Sequence, residues 1–310
     1  MTMSSRQAYG EALVELGKSN ENIVVLEADL GKSTMTSLFC AAFPKRYFQM
    51  GIAEQNMASV AAGLALTGKT AFINSFAVFA SGRPYDQIRS SICIPRLNVK
   101  ICGSSAGLSD FGDGKTHQSV DDIAIMRVLP NMTVLSPVDA VETKQMVKAM
   151  AEYNGPCYIR INRNDLPLLT DPGQKYTIGK MNLVREGGDV AVFASGVMVS
   201  HALMAAEALA SEGISLRVVN VSTIKPLDTQ AVKDYCKGMR GVVTAEEHSI
   251  YGGLGSAILE ALASVRIPVM VLGINDTFGT SAMKYDELLE KYHLMPEDVI
   301  AKVKAVLACE

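Results

Sequence analysis

One carboxylate stands at the junction between a short apolar segment and a helix of small apolar residues. Glu54 follows residues 47–50, which are typical of a strand, and precedes the apolar run at 57–66. Bulk water reaches such a position poorly, so the carboxylate is either costly to keep or retained for a chemical purpose. An acidic residue in a first helical turn also interacts favourably with the helix dipole, and position alone favours that structural role.

Two aromatic rings follow the next predicted strand at helical spacing. Phe76 and Phe79 stand at positions i and i+3, so both rings can face the same side of a helix. They can stack on a planar ligand or pack in the core, and the residue types alone favour the core.

A polar loop between Leu108 and Val120 carries His117, one of four histidines in the chain, together with Asp113. Binding groups concentrate in loops, and an imidazole exchanges its proton near neutral pH. A solvated loop histidine accounts for the composition equally well.

Arg6 and Arg163 lie far apart in the sequence. The planar guanidinium suits a phosphate because it can donate two parallel hydrogen bonds. Each arginine taken by itself is more commonly a solvated surface charge.

The elements that must position these side chains alternate between strand and helix. In the first half, short apolar runs predict strands, and longer segments between them predict helices. The strands are predicted at 23–27, 70–74, 97–102, 132–135 and 157–161, and the helices at 5–18, 55–66, 76–91, 120–128 and 139–153. This order indicates a parallel sheet covered by helices on both faces.

The same alternation returns in the second half, after a change of composition. Residues 164–189 are rich in Pro, Gly and charged residues, which is typical of a connection between domains. The sequence therefore predicts two doubly wound α/β domains, at 1–166 and 187–310, joined by a linker at 167–186.

The overall composition excludes several functions. The 310 residues are 48% hydrophobic and 20% charged, with a net charge of −3, so a basic surface for nucleic acid is not expected. We find neither an apolar signal core nor a membrane-length apolar run in the sequence. The six cysteines are scattered, which is typical of reduced thiols, and we expect a cytoplasmic protein.

Several motifs resemble, in order along the chain, those of the thiamine-diphosphate enzymes of the transketolase family. They are ADL at 28–30, GIAEQN at 51–56, Phe76 with Phe79, DGKTHQ at 113–118, RINR at 160–163 and EEHSIYGGLG at 246–255. The chain begins where the second domain of a transketolase begins. It is therefore identified as a C-terminal subunit of a split transketolase, with a pyrimidine-binding domain followed by a transketolase C-terminal-like domain.

The resemblance implies roles for individual residues. Glu54 would bind the aminopyrimidine of thiamine diphosphate and stabilise its imino tautomer, which takes the proton from the thiazolium carbon. Phe76 and Phe79 would stack on the pyrimidine, and Asp29 would also contact the cofactor. His117 would act in catalysis and bind the substrate's oxygens.

The resemblance also assigns residues to the sugar substrate. Asp113 would select the hydroxyl configuration, and Arg6, Ser33 and Arg163 would bind the terminal phosphate. Gly103 stands near the place of a phosphate-binding histidine of the family, so the terminal anion is either bound differently or not a usual phosphate.

Two further departures concern the cofactor. Gly82 replaces a third aromatic ring seen in some relatives. The GDG at 112–114 imitates the family's magnesium motif, but it lies in a loop, and Asn131 falls in the wrong place for it. The resemblance therefore implies that Mg²⁺ and the diphosphate are held mainly by a partner chain, the N-terminal transketolase subunit carrying GDG, in a heterotetramer with a twofold axis.

The function expected is transfer of a two-carbon ketol unit from a ketose phosphate to an aldose phosphate, with activity only beside the partner. A subunit similar to 1-deoxyxylulose-5-phosphate synthase or to a 2-oxo acid dehydrogenase beta chain is the enzymatic alternative. The THQ sequence at 116–118 argues against the dehydrogenase, and Arg6 with Ser33 favours transketolase over the synthase. A non-catalytic scaffold is disfavoured because it has no reason to keep Glu54.

Overall fold

Residues 2–309 are described by a computed structural model of the chain. In chain order the strands are β1 (Thr2–Ser4), β2 (Ile23–Glu27), β3 (Tyr47–Gln49), β4 (Thr70–Phe76), β5 (Val99–Ser104), β6 (Thr133–Leu135), β7 (Cys157–Ile161), β8 (Asp165–Pro167), β9 (Asn182–Arg185), β10 (Val190–Ala194), β11 (Leu216–Asn220), β12 (Thr223–Lys225), β13 (Gly241–Ser249) and β14 (Val269–Ile274).

The α-helices cover both faces of the sheets. They are α1 (Ser5–Ser19), α2 (Ser37–Ala42), α3 (Glu54–Leu66), α4 (Ala77–Gly82), α5 (Tyr85–Gln87), α6 (Asp122–Arg127), α7 (Ala140–Glu152), α8 (Met198–Ala210), α9 (Thr229–Tyr235), α10 (Leu254–Leu262), α11 (Tyr285–Lys291) and α12 (Pro296–Leu307), with a π-helical turn at Ile88–Cys93 after α5.

The larger sheet within residues 2–309 has the strand order β12-β6-β7-β5-β4-β2-β3. Its strands are parallel from β6 to β3. Strands β2, β4, β5 and β7 are buried at every position, as expected when helices cover both faces of a parallel sheet. Tyr9, Phe39 and Phe72 belong to the core on one face, and Met57 and Ile73 to the core on the other.

The second sheet has the order β14-β13-β10-β11-β9, and its strands are parallel except for β9. The predicted fold class, two α/β units with parallel sheets, is therefore confirmed. Strand β12 comes from the second half of the sequence but pairs with β6 of the first sheet, which ties the two halves together.

Several features differ from the sequence-based expectation, including α2 and β12, which were not predicted. The helix predicted at 76–91 is wrong, because β4 continues through Phe76 and the helical segment is interrupted after Gly82. Pro84 explains the interruption, since it has no backbone N–H to donate and its own backbone leaves helical geometry (φ −92°, ψ 18°), while Arg83 before it remains helical. The strand pair β1–β8 and the edge strand β9 were not predicted; they are short and only partly buried, so their apolar signal is weak.

The carboxyl ends of β5, β4, β2 and β3 lie side by side at one edge of the larger sheet. The segments that follow them carry most of the residues singled out from the sequence, whereas Arg6 lies in α1, Phe76 ends β4 and Arg163 follows β7. Ligands of open α/β sheets characteristically bind at this edge.

Candidate active site

Glu54 is the first residue of α3, and its side chain is only 3% exposed. It follows β3 at the start of α3, as the sequence predicts, but α3 is not buried all round: five of its thirteen residues are buried, and Leu66 is 74% exposed. Glu54 Oε1 accepts a hydrogen bond from Arg83 Nη1 at 2.9 Å. Arg83 was not singled out from the sequence, because only the tertiary structure brings the end of α4 to the start of α3.

Three rings form a cluster beside this carboxylate. The Phe76 and Phe79 rings are stacked, with centroids 6.3 Å apart and planes 17° apart. The imidazole of His117 meets the Phe79 ring edge-on at 5.3 Å between centroids. Phe76 is buried in the core, whereas Phe79 is only partly buried.

Glu54, Phe79 and His117 line one cavity of about 350 Å³. Its polar lining is completed by Asp29, Arg83 and Thr116. A buried carboxylate, an aromatic face and an imidazole around one volume can together bind a flat, nitrogen-containing ring and exchange protons with it.

The loop after β2 forms the next part of the site. Asp29 has a left-handed backbone conformation (φ 63°), and its N–H donates to Gln49 Oε1 at 2.8 Å. Asp29 also borders a second cavity of about 380 Å³ that Ser33 lines. The two cavities are neighbours, because they share Asp29 and Leu30.

Arg6, Ser33, Arg163 and Asp113 come together in a second cluster. Arg6 donates to the carbonyl oxygens of Ser33 (2.8 Å, from Nη1) and Arg163 (3.0 Å, from Nε). Burial and the nearby Arg163 cation lower the pKa of the Arg6 guanidinium. The predicted substrate-binding residues are therefore in contact, although 157 residues separate the two arginines.

Asp110 is a member of this cluster that sequence reasoning missed. Its Oδ1 accepts a hydrogen bond from Arg163 Nη1 at 2.5 Å, while Asp113 Oδ2 lies 3.8 Å from the same nitrogen. Burial raises the pKa of the Asp110 carboxyl, and the Arg163 cation opposes that rise. The only signal in the sequence was a second aspartate three residues before Asp113.

The second domain supports the loop that carries His117. Gln118 Nε2 donates to the Thr280 carbonyl at 3.0 Å, and Glu247 Oε1 accepts from the Leu108 N–H at 2.7 Å. Both Gln118 and Glu247 are buried. The C-terminal half of the chain therefore fixes the position of the loop between β5 and α6.

Glu27, at the carboxyl end of β2, is a buried carboxylate close to the site. Its Oε2 accepts hydrogen bonds from the hydroxyls of Thr36 at 2.6 Å and Thr34 at 2.8 Å. Burial raises the pKa of Glu27 to about 7, against the opposing effect of these hydroxyls. An acidic residue at the end of a wholly apolar strand could have identified it.

Two glycines that replace family side chains have different surroundings. A side chain at Gly103 would collide with the hydroxyl of Tyr158, which instead donates to Asp122 Oδ2 at 2.8 Å. The space around Gly82 is open. A histidine therefore does not fit at Gly103 without displacing Tyr158, whereas a Cβ at Gly82 would meet no other atom within 4 Å.

The described residues contain neither a metal-ligand cluster nor a membrane-spanning helix. Within residues 2–309 no group of three or more His, Cys, Asp or Glu side chains is arranged to hold a metal ion. Within the same residues no helix is long and apolar enough to cross a membrane.

Comparison with known proteins identifies both halves of the chain. Residues 1–168 match the family model "Transketolase, pyrimidine binding domain", and residues 179–299 match "Transketolase, C-terminal domain".

Individual relatives match over nearly the full chain. A putative transketolase C-terminal section from Methanocaldococcus jannaschii is 46% identical over 302 residues, covering 96% of this chain and 94% of the relative. The 6-deoxy-6-sulfo-D-fructose transketolase subunit of Clostridium sp. (strain MSTE9) is 40% identical over 296 residues, covering 95% of this chain and 92% of the relative. A solved structure described as "Split gene transketolase, inactive beta4 tetramer" has 48% identity and a TM-score of 0.91, covering 99% of both chains.

Proposed function

Because this chain belongs to the transketolase family, we propose that it transfers a two-carbon ketol unit from a ketose phosphate to an aldose phosphate as one subunit of a split enzyme. The observation that carries the proposal is the single cavity shared by Glu54, Phe79 and His117. The transketolase names of its relatives favour this reaction over that of a synthase or a dehydrogenase chain.

The residues around the cavity suit the aminopyrimidine of thiamine diphosphate. The ring face of Phe79 can stack on a flat heterocycle, and the buried Glu54 carboxylate can accept a hydrogen bond from a protonated ring nitrogen. Asp29 borders the same volume. When bound, thiamine diphosphate supplies an electron sink for breaking and forming a carbon–carbon bond beside a carbonyl.

The protein's own groups orient the reactants and move protons. Glu54 holds a proton on the heterocycle through a hydrogen bond in a poorly solvated position, where the interaction is strong. His117 lies at the cavity wall with its ring edge-on to Phe79, where it can donate to or accept from a substrate oxygen. Burial around Glu54 keeps water from competing for these hydrogen bonds.

The second cluster is suited to the far end of the substrate. Arg6, Ser33 and Arg163 would bind a terminal anion, and Asp113 would contact a hydroxyl. Asp110 pairs with Arg163 and so partly neutralises its charge. Arg6 donates to two backbone carbonyls instead, and no carboxylate among residues 2–309 is hydrogen-bonded to it.

We also propose that the enzyme is active only with a partner chain that holds Mg²⁺ and the diphosphate, as a heterotetramer of two copies of each chain. The similarity to a putative transketolase C-terminal section and to a structure described as a split gene transketolase supports this arrangement. The domain limits are proposed at 1–166 and 187–310, with the linker between them.

The test is the variant Glu54→Gln in the chain assembled with its partner. We expect a loss of turnover of roughly hundred- to ten-thousandfold, because a positioned acid–base group is removed. Exchange of the thiazolium proton into D₂O should slow by a similar factor. The exposed Glu21→Gln variant is the control, and exchange at the wild-type rate in Glu54→Gln would refute the assignment.

A further inference from the structure

Arg83 makes two contacts within the cavity. Its Nη1 donates to Glu54 Oε1 at 2.9 Å, and its Cζ lies 4.1 Å from the centroid of the Phe79 ring. The planar cation therefore covers an aromatic face and pairs with the buried carboxylate at the same time. These are the two groups that the proposed function assigns to the aminopyrimidine.

The side chain of Arg83 is placed so that it can leave. It is 47% exposed, whereas Glu54 is 3% exposed. Arg83 follows the last residue of α4 and precedes Pro84, and the space beside Gly82 is open. Solvent can thus receive the guanidinium without unfolding of a helix.

The pair has a clear physical benefit for the chain without cofactor. A buried carboxylate without a hydrogen-bonding partner is costly, and Arg83 supplies both a donor and a positive charge. The pair is also weak enough to exchange, because a half-exposed arginine loses little when water replaces its partner.

We propose that Arg83 is an internal competitor for the aminopyrimidine, stacking on Phe79 and pairing with Glu54 until the heterocycle displaces it. This inference rests on the proposed function, since it concerns the same cavity. When a side chain occupies a binding site for most of the time, only the remaining fraction of the protein can bind the ligand. The apparent affinity for the ligand is lowered by that fraction. Removing Arg83 should therefore strengthen binding, although it removes a positive charge from the site of an anionic cofactor.

The experiment compares the full chain with its Arg83→Ala, Arg83→Lys and Arg89→Ala variants. Arg89 is an exposed arginine six positions further on and serves as the matched control. Thiamine diphosphate is titrated against each protein by ligand-observed NMR, which detects millimolar binding, and thermal melting is recorded with and without the cofactor.

We expect Arg83→Ala to lower the dissociation constant about three- to tenfold, corresponding to release of a pair engaged for most of the time. Its melting temperature without cofactor should fall, and its rise on adding cofactor should exceed that of the wild type. Arg83→Lys should be intermediate, because it keeps the charge and loses the planar stacking. Arg89→Ala should match the wild type.

Equal or weaker binding by Arg83→Ala, with wild-type binding intact, would overturn this inference alone. Absence of binding in the wild type and in Arg83→Ala alike would overturn it together with the proposed cofactor site. Where the wild type binds, a loss of binding in Glu54→Gln shows that the pyrimidine site is correctly assigned. A failure of the Arg83→Ala prediction then concerns only the role of Arg83.

Discussion

At the residue scale, the charged side chains of the site are paired with one another. Glu54 is paired with Arg83, and Arg163 is paired with Asp110. In both pairs the carboxylate is buried and the arginine is the more exposed member. The arginines are thus the members that can move when a ligand binds, while the carboxylates stay fixed.

Arg163 provides a prediction about substrate recognition. We expect Arg163→Ala to raise the KM of sugar phosphates about ten- to hundredfold, since a charge-assisted contact to phosphate is worth about 1.5–3 kcal/mol. Unphosphorylated analogues should be affected far less. Steady-state kinetics with matched substrate pairs would measure the difference.

The exposed Arg266→Ala variant is the control for loss of a positive charge. Equal losses for phosphorylated and unphosphorylated substrates would show that Arg163 serves only to neutralise Asp110.

At the element scale, the site depends on how strand ends and loops are held. Glu27, at the end of β2, holds the loop after β2 in place, because its carboxylate accepts hydrogen bonds from two threonines of that loop. The loop after β5 is fixed from the second domain through Gln118 and Glu247. Loops supported in this way can present Asp29, Ser33 and His117 in a defined arrangement.

The raised pKa of Glu27 predicts a pH dependence of stability. Since the folded-state pKa is about 7 and the unfolded one near the ordinary 4.5, the folded chain binds an extra proton between these values. The stabilising contribution of Glu27 is therefore fully present below about pH 4.5 and is lost as pH rises toward 7. Between about pH 4.5 and 7 the free energy of unfolding should fall by about 1–3 kcal/mol less in Glu27→Gln than in the wild type.

Urea unfolding of the wild type and of Glu27→Gln at a series of pH values would measure it. Glu142 and Glu247 are also buried with pKa raised to about 7, so the wild type should keep part of its slope in the variant. Parallel curves for the two proteins would contradict the assignment to Glu27.

At the scale of the whole molecule, the two halves are joined by polar contacts between domains and by β12. Asn220 Nδ2 donates to Glu142 Oε1 at 3.1 Å, and Arg160 Nη2 donates to the Glu247 carbonyl at 3.2 Å. The C-terminal half is therefore part of the framework of the site, although it contributes none of the residues proposed to bind the cofactor.

The division of labour between chains gives the prediction at this scale. Because the charges of thiamine diphosphate lie mainly on its diphosphate, the isolated chain should bind the cofactor weakly and show no ketol transfer. Activity should appear on adding a chain of similar size that carries GDG and a downstream Asn. Calorimetry and a coupled assay on the separate and mixed chains would measure this.

Tight, magnesium-dependent binding together with full turnover by the isolated chain would refute the split-enzyme proposal. Sedimentation of the mixture would test the proposed two copies of each chain.

The sequence by itself determined the fold class and the enzyme family, because the fold class depends on local apolar patterns and the family on short motifs. The apolar runs at 23–27 and 157–161 became β2 and β7 at the predicted residues, since buried parallel strands carry a continuous apolar pattern. The position of Glu54 at a strand–helix junction drew attention to it, and the GIAEQN motif at 51–56 then assigned it a role. The i, i+3 spacing of Phe76 and Phe79 likewise indicated two neighbouring rings.

Only the tertiary structure decided the partners of the charged groups. Arg83 lies 29 residues from Glu54, Asp110 lies 53 residues from Arg163, and Glu247 lies 139 residues from Leu108. No periodicity or spacing relates such positions, because they meet only when parallel strands align their carboxyl ends and the second domain packs against the first. The same packing decides that Arg83 and the proposed heterocycle share Glu54 and Phe79.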